Sequence, residues 1–355
     1  MDVGIQVIFS AFGADHPDSQ VYSEEVRLCL LAEELGFDVL WPVEHHFTDY
    51  SFCPDNTQFL SYLAGRTSRI DLGTAAVILP WNEPLRVAEK IALLDEIAGG
   101  RVRFGMGRGL SRREYEGFRG IEMDESRGRF DEAAPMILEA LETGFIEGPG
   151  PYYPQPRTEI RPRPTRTFAG RTYAVANSSD SVDIAARIGA RMIMFAERNW
   201  DSRLPGIERY RAAYQATHGS EAPPVLTCDF IYCDERSDRG EELGTQYLGS
   251  YLASLLEHYE LMGDHFTGTE GYQGYGKNAE TLRALGETGY LKAFKAANAY
   301  GTPDQILRTL ESRKQTLGRF EQSTSFRFGA IPYAQAEKSM RLFAKEVLPV
   351  LKGWD

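Results

Sequence analysis

Short runs of β-branched and aromatic residues alternate with longer amphipathic segments along this chain. Eight of the short runs have the length and composition of strands, and they cover residues 3–9, 38–44, 70–79, 101–106, 172–176, 191–196, 225–233 and 325–330. Between them, apolar residues recur at helical spacing, as at Leu28, Leu31, Ala32 and Leu35. A strand followed by a helix, repeated eight times, predicts an α/β fold with parallel strands. We therefore expect a single (β/α)8 TIM barrel that covers residues 1–355 as one domain.

Two stretches interrupt this alternation, and we expect them to be insertions after strands 4 and 7. Residues 145–171 contain six prolines and little periodicity, which predicts a structured loop between strands 4 and 5. Residues 263–289 contain seven glycines and are too long for a plain connection. Glycine-rich excursions of this length on barrels are often lids, so we interpret this one as a candidate lid.

Composition and charge narrow the partners that the protein can have. Among the 355 residues, 51 are Asp or Glu and 39 are Lys or Arg, and the net charge of −12 disfavours nucleic acid and anionic membranes as partners. The first residues lack a basic segment, and no apolar run approaches the ~20 residues that a membrane span needs, so we expect a cytoplasmic protein. Four cysteines do not make a disulfide scaffold in a chain of this length, and we expect four buried thiols.

Two adjacent histidines stand where an active site is expected. In barrels of this type the functional face lies at the carboxyl ends of the strands, and strand 2 ends in Glu44, His45 and His46. Side chains of adjacent strand residues point to opposite sides, so one imidazole faces the barrel mouth as a candidate base. The alternative is a structural histidine. The spacing of these three residues matches no metal motif, so we predict no metal site.

The ends of strands 4 and 5 carry groups that suit an anion. Three glycines within residues 105–109 resemble a dinucleotide-binding loop, although the third is misplaced, and a crowded barrel rim explains them equally well. Arg108 among them offers a guanidinium. Ser178 and Ser181 precede a helix, where they either cap it or help to cradle a phosphate. Arg127 is either a solvated helix charge or a second cation that converges on the same phosphate.

Five segments in order along the chain carry a resemblance to a known family. They are EHHF at 44–47, GTAAVILP at 73–80, DEIAGGRVRFGMGRGL at 95–110, ESRGRFD at 125–131, and the closing pair YGTPDQI and MRLFAKEVLPVLK. Together they resemble the bacterial luciferase-like flavin monooxygenases, and the likeness spans almost the whole chain. The resemblance implies a barrel that binds reduced FMN from a separate flavin reductase, reacts it with O2 to a flavin C4a-hydroperoxide, and oxygenates a small apolar organic substrate.

The resemblance also assigns roles to residues. It makes His45 the catalytic histidine and Ala75 and Ala76 a cis pair under the flavin ring. The predicted cofactor-binding residues at the phosphate and beside it are Arg108, Arg127, Asn177, Ser178 and Ser181. Departures fall near the reaction pocket, where Gly107, Ser111, Asn177 and Ala196 replace a cysteine, a tyrosine, a glutamate and a tryptophan of the luciferases.

These departures leave alternatives open. One is a hydride-transfer oxidoreductase that uses the deazaflavin F420, which similar barrels also bind. Another is a flavin-binding or partner subunit without catalysis, against which the retention of His45 argues. A homodimer is a further expectation, and the sequence does not identify the substrate.

Overall fold

The computed structural model describes residues 1–13, 16–118, 120–269 and 272–354. Its strands are β1 (Val3–Val7), β2 (Val39–Pro42), β3 (Asp71–Gly73), β4 (Val77–Ile78), β5 (Val102–Gly107), β6 (Phe145–Gly148), β7 (Gln155–Glu159), β8 (Thr172–Val175), β9 (Arg191–Phe195), β10 (Val225–Phe230) and β11 (Phe320–Ser325).

All strands of the main sheet are parallel, and the sheet closes on itself. The order is β3-β2-β1-β11-β10-β9-β8-β5-β4, and a further pairing between β3 and β5 completes the ring. The register places Leu72 beside Val102 at this closure and Val3 beside Gln322 on the opposite side. Since β4 continues the path of β3, the ring has eight positions, and the predicted (β/α)8 barrel is confirmed.

Helices occupy the connections and cover the outside of the barrel. They are α1 (Asp18–Leu35), α2 (Asn56–Ala64), α3 (Pro84–Ile97), α4 (Arg112–Gly117), α5 (Ser126–Thr143), α6 (Ser179–Arg187), α7 (Leu204–His218), α8 (Ser237–His258), α9 (His265–Gly268), α10 (Gln273–Ala297), α11 (Pro303–Leu317), α12 (Tyr333–Glu346) and α13 (Leu348–Lys352). Among the described residues, we find no helix whose length and apolar character would let it cross a membrane.

The barrel interior is filled around one large aromatic side chain. Trp41 on β2 is 1% exposed and packs edge-on against Tyr173 of β8, with ring centroids 4.9 Å apart. A Cβ atom at Gly73 on the neighbouring β3 would lie 2.2 Å from Trp41 Cε3, and one at Gly4 would lie 2.7 Å from Trp41 Cδ1. Glycine at these two positions is therefore what admits the indole.

Two of the strand predictions need correction. The eighth strand is Phe320–Ser325 and not 325–330, because its residues are mostly polar although all six are buried. Glu321 is an example, since its carboxylate pairs with Arg191 and accepts a hydrogen bond from Tyr173. The predicted strand 70–79 is split into β3 and β4 at a cis peptide bond between Ala75 and Ala76. The other six predicted strands overlap observed ones.

Both interruptions contain regular structure. Within 145–171, β6 and β7 form an antiparallel hairpin with Phe145 beside Glu159, so the expectation of a loop is wrong there. The Tyr153 hydroxyl donates to the Pro80 carbonyl at 2.9 Å and ties the connection to the barrel. Within 263–289 the chain forms α9 and the greater part of α10, and residues 270–271 lie outside the described part. Its role as a lid stays a prediction. The four cysteines are free and buried, as expected.

Candidate active site

A cavity opens among the carboxyl ends of the barrel strands, where the sequence predicts the site. It encloses about 1170 Å³ of empty space, counting open solvent at its mouth. Residues that follow β2, β5, β8 and β9 contribute to its wall, together with side chains from α5, α6 and α8. All eight predicted site residues line it: His45, Ala75, Ala76, Arg108, Arg127, Asn177, Ser178 and Ser181.

The two adjacent histidines face different surroundings, as the strand geometry predicts. His45 lines the cavity. The His46 ring packs edge-on against Phe118, with centroids 4.9 Å apart, and its Nε2 lies 3.6 Å from a Glu44 oxygen. Glu44 itself accepts hydrogen bonds from the Ile78 backbone N–H and the Trp81 indole, which fixes the end of β4. His45 is therefore the histidine that a cavity ligand can reach.

A buried carboxylate holds His45 from behind. Glu114 on α4 is 1% exposed, and its Oε1 lies 3.0 Å from His45 Nδ1 and accepts the His46 backbone N–H at 2.8 Å. The same oxygen is 3.5 Å from His258 Nε2, at the end of α8, and His258 Nδ1 lies 2.8 Å from the Thr48 hydroxyl. We call the group His45, Glu114 and His258 the histidine side of the cavity. On its cavity face, the Tyr259 hydroxyl lies 3.3 Å from His45 Nε2.

The electrostatics of the histidine side favour an ionised Glu114 carboxylate. Burial opposes ionisation of Glu114, but the charge of His45 and hydrogen bonds from His258 and His45 outweigh it and lower the pKa of the Glu114 carboxyl far below its usual range. Burial lowers the pKa of His258, against the opposing influence of Glu114. Burial raises the pKa of Tyr259 well above its ordinary value, so its hydroxyl stays protonated.

The histidine side also groups possible metal ligands. One ligand atom each of His45, Glu114 and His258 lies within 4.8 Å of the others. This trio differs from the adjacent residues 44–46 on which the prediction of no metal rests, since Glu114 and His258 come from α4 and α8. The contact between His45 Nδ1 and Glu114 Oε1 has the length of a hydrogen bond, and it gives the imidazole a proton partner without an ion. The absence of a metal stays a prediction.

Another part of the cavity wall carries two guanidinium groups. Arg108 follows β5 and lies over the ring of Tyr272, 3.8 Å from its centroid. Arg127, on the first turn of α5, has its Nη1 3.7 Å from Asp131, and its buried Nη2 makes no hydrogen bond within the described residues. Burial and the neighbouring charge of Arg108 both lower the pKa of Arg127. Two like charges are thus brought together at one cavity wall.

A helix start completes this wall. Ser178 caps α6, and the reciprocal contacts of a capping box link it to Ser181: Ser181 N–H donates to Ser178 Oγ at 3.4 Å, and Ser178 N–H to Ser181 Oγ at 2.9 Å. The cap predicted from sequence is therefore present. Asn177, just before it, accepts a hydrogen bond from Arg203 at 3.0 Å. We call Arg108, Arg127, Ser178 and Ser181 the arginine side of the cavity.

Three small residues, Ala75, Ala76 and Gly107, form a part of the cavity wall that we call the shelf. The cis-linked Ala75 and Ala76 line the cavity beside Gly107. A Cβ atom at Gly107 would lie 2.8 Å from Ile78 Cδ1 and 3.3 Å from Ala76 Cβ, so glycine allows these side chains to pack closely against the strand.

Sequence reasoning missed several residues that line the cavity or support its histidine, namely Glu114, Glu197, His258 and Tyr259. Glu114 has a weak local signal, since it lies three residues after the N-cap Ser111. His258 has none, because it ends a 22-residue helix far along the chain from His45. Glu197 follows β9 directly, and the rule that strand ends carry function could have found it.

A catalytic α/β barrel with its site at the strand ends is the class that this geometry defines. Residues 1–319 match the model of the luciferase-like monooxygenase family, and the chain belongs to that family. The resemblance seen in the sequence and the prediction of a monooxygenase enzyme are thereby confirmed. The chain is 27% identical over 335 residues to an alkanal monooxygenase alpha chain of Photorhabdus luminescens, which covers 92% of this chain and 91% of that one.

Solved structures support the same assignment. Monooxygenase RslO1 from Streptomyces bottropensis superposes with a TM-score of 0.80 at 28% identity, covering 99% of this chain and 100% of its own. Two more distant structures share the fold. One is the oxygenating constituent of 3,6-diketocamphane monooxygenase from Pseudomonas putida in complex with FMN, with TM-score 0.72, 14% identity and 98% of each chain covered. The other is the coenzyme F420-dependent tetrahydromethanopterin reductase of Methanopyrus kandleri, with TM-score 0.68, 18% identity and 98% and 99% covered.

Proposed function

We propose that this protein is the oxygenating component of a two-component monooxygenase. It takes up reduced FMN, supplied by a separate flavin reductase, and uses O2 to oxygenate a small organic substrate. The observation that carries the proposal is the arginine side, where two guanidinium groups and a capped helix start meet at the wall of the cavity.

The arginine side fits the phosphate of a flavin mononucleotide. Bringing Arg108 and Arg127 together costs free energy in the absence of an anion, as the lowered pKa of Arg127, due to burial and then to Arg108, indicates. Arg127 Nη2 is buried and has no hydrogen-bond acceptor among the described residues, and a phosphate oxygen would supply one. The first N–H groups of α6 add the donors that commonly bind phosphate.

The shelf of small residues suits the flat ring system of the same molecule. Ala75, Ala76 and Gly107 present little more than backbone to the cavity. When bound and reduced, the flavin would supply the electrons that activate O2.

His45 and Glu114 would manage protons in this reaction. The Glu114 carboxylate fixes His45 Nδ1, so His45 Nε2 faces the cavity, where the Tyr259 hydroxyl lies 3.3 Å away. An imidazole held in this way can take a proton from a cavity ligand and return it. The network of His45, Glu114 and Tyr259 also favours a catalytic protein over a subunit that binds flavin without catalysis.

Binding and turnover experiments test the proposal. The purified protein is titrated with oxidised FMN, with reduced FMN under anaerobic conditions, and with F420. A flavin reductase with NADH and 18O2 is then added in a substrate screen, and products are analysed for 18O by mass spectrometry. We expect reduced FMN to bind more tightly than F420, and one 18O atom to enter the product. Tighter binding of F420, with oxygen-independent reduction of a substrate, would replace this proposal by the hydride-transfer alternative.

A further inference from the structure

The cavity extends beyond the two sides already described into a third region that is rich in aromatic residues. Its wall is formed by Tyr50, Phe195, Phe230, Tyr251, Leu255 and Tyr259. The tyrosine hydroxyls are already engaged with protein groups: Tyr50 with Tyr251 at 2.8 Å, and Tyr259 with His45. Burial raises the pKa of Tyr50 to about 12, so this wall is neutral and largely apolar.

One carboxylate, that of Glu197, lies beside this apolar wall. Glu197 follows β9, where its backbone N–H donates to the Phe195 carbonyl at 2.9 Å and turns the chain back toward the cavity. The side chain is partly buried, with 31% of its surface accessible, and it lines the cavity. Tyr50 and Tyr251 line the same cavity as Glu197, and the Glu197 charge is one of the smaller causes, after burial, that raise the pKa of both tyrosines.

The Glu197 carboxylate accepts no hydrogen bond from the residues that the structure describes. Its nearest cation is Arg203, whose Nη2 is 3.8 Å away, beyond hydrogen-bond distance. Arg203 instead donates to the Phe195 carbonyl at 2.6 Å and to Asn177 at 3.0 Å. No hydrogen bond to either Glu197 carboxylate oxygen occurs in the part of the chain that the structure describes. Burial raises the pKa of Glu197, because an ionised carboxylate is destabilised where it lacks hydrogen-bond donors.

We propose that Glu197 is the substrate-recognition residue of this enzyme and that its carboxylate accepts a hydrogen bond from a hydroxyl group on a planar aromatic substrate held by the aromatic wall. The inference rests on the proposed function, because it assigns the substrate class to the same cavity. It sharpens the small apolar molecule expected from the sequence into an aromatic body with one donor group.

A neutral donor suits this position better than a cation. Arg203 and Arg198 already act on the Glu197 carboxylate and oppose the effect of burial on its pKa. An ammonium group on the substrate would bring a third positive charge to one carboxylate. A hydroxyl group needs only the acceptor, and its aromatic body packs against Tyr50, Phe230 and Tyr251.

Matched ligands measure the contribution of the hydroxyl group without turnover. The probes are 2-naphthol, 2-methoxynaphthalene, which has the same ring without the donor, and 2-naphthylmethylamine, which is cationic. Their dissociation constants are determined by calorimetry for the wild-type protein, Glu197→Leu, Glu197→Gln and Glu208→Leu. The last removes the same charge from an exposed position on α7. Flavin-free protein is used, and a separate FMN titration of each variant checks that the arginine side is intact.

A hydrogen bond to a charged acceptor contributes ~1.5 to 3 kcal/mol, so we expect the wild type and Glu208→Leu to prefer 2-naphthol over 2-methoxynaphthalene by roughly tenfold or more. Glu197→Leu should lose this preference. Glu197→Gln, which keeps an acceptor, should retain part of it, and this variant carries the test if the leucine variant fails to fold. FMN affinity should stay the same in all variants.

Several results would overturn the inference. Equal binding of 2-naphthol and 2-methoxynaphthalene to the wild type would refute the role of the donor, and a preference that survives in both Glu197 variants would refute the role of Glu197. Absence of binding at millimolar concentration would refute the aromatic class, and tighter binding of the amine would refute the neutral donor. Failure to bind FMN, with the naphthol preference present, would instead refute the proposed function alone.

Discussion

The arginine side and the histidine side of the cavity differ in how their charged groups are paired. On the histidine side a carboxylate lies between two imidazoles: Glu114 Oε1 is 3.0 Å from His45 Nδ1 and 3.5 Å from His258 Nε2. On the arginine side two cations are gathered, and the buried Arg127 Nη2 has no hydrogen-bond acceptor among the described residues. The first arrangement places a negative group of the protein beside its imidazoles, and the second gathers like charges that the proposed phosphate would neutralise. The difference indicates that one wall positions a reactive group and the other binds a ligand.

The largest effect that would separate the two sides is expected from His45→Ala. A general acid–base group contributes ~10²- to 10⁴-fold, so oxygenation measured with a reductase should fall by about that factor while FMN affinity is retained. His46→Ala is the matched control, since that ring packs against Phe118 and should affect the melting temperature more than turnover. A His45→Ala enzyme that melts earlier but keeps its turnover would make His45 a structural residue.

The next test removes the charge that organises the histidine side. Because the pKa of Glu114 is lower in the folded protein than in the unfolded chain, the unfolded chain binds more protons as the pH falls below ~5, and the free energy of unfolding decreases. Glu114→Gln should lose ~2 to 3 kcal/mol at pH 7. Urea unfolding at pH 7 and pH 3 should show a smaller difference between the two proteins at pH 3. An equal difference at both values would contradict the ionised network.

The arginine side should respond in affinity and not in chemistry. Charge-assisted hydrogen bonds contribute ~1.5 to 3 kcal/mol, so Arg108→Ala or Arg127→Ala should each weaken FMN binding by roughly ten- to a hundredfold. Turnover at saturating reduced FMN should change little. Arg86→Ala, on the exposed face of α3, serves as the control for lost positive charge. Unchanged FMN affinity, with the loss confined to turnover, would show that the assignment of these arginines is wrong.

The smallest effect is expected at the helix start. Ser178→Ala removes the capping side chain of α6, which should cost ~1 kcal/mol of stability and weaken FMN binding less than tenfold. Ser179→Ala, one residue further on and exposed, should change neither quantity. A thermal melt and an FMN titration of both variants distinguish an N-cap that also shapes the binding site from one that only stabilises the start of the helix.

What could be predicted from the sequence follows from how local each signal is. The capping serines at 178 and 181, the histidine pair and Arg108 stand within a few residues of a strand end, so a rule about strand ends finds them. Glu114 and His258 meet behind His45 from two helices that are far apart in the chain. Their contact is a product of barrel closure, which periodicity does not encode.

The misplaced last strand has a related cause. Hydrophobic pattern identifies strands whose burial is apolar, and β11 is buried through polar residues that satisfy one another across the barrel interior. Gln322, for example, hydrogen-bonds both Thr227 and Asp229 on the neighbouring β10. The segment 326–330 that follows it in sequence has the stronger pattern, with Phe326 and Phe328, but lies after the strand.

Trp41 and the two glycines beneath it form a unit for protein engineering. The indole belongs to the packed cluster that also includes Ala75, with Val175 and Phe195 against it, and these three line the cavity. A side chain at Gly73 would collide with the indole, so this position tolerates exchange once Trp41 has been reduced in size. A Cβ atom at Gly4 would in addition lie 2.8 Å from the Val39 backbone carbonyl, so Gly4 should be kept. A library that aims to deepen the cavity for bulkier substrates should therefore begin with Trp41 and diversify Gly73 in the same round.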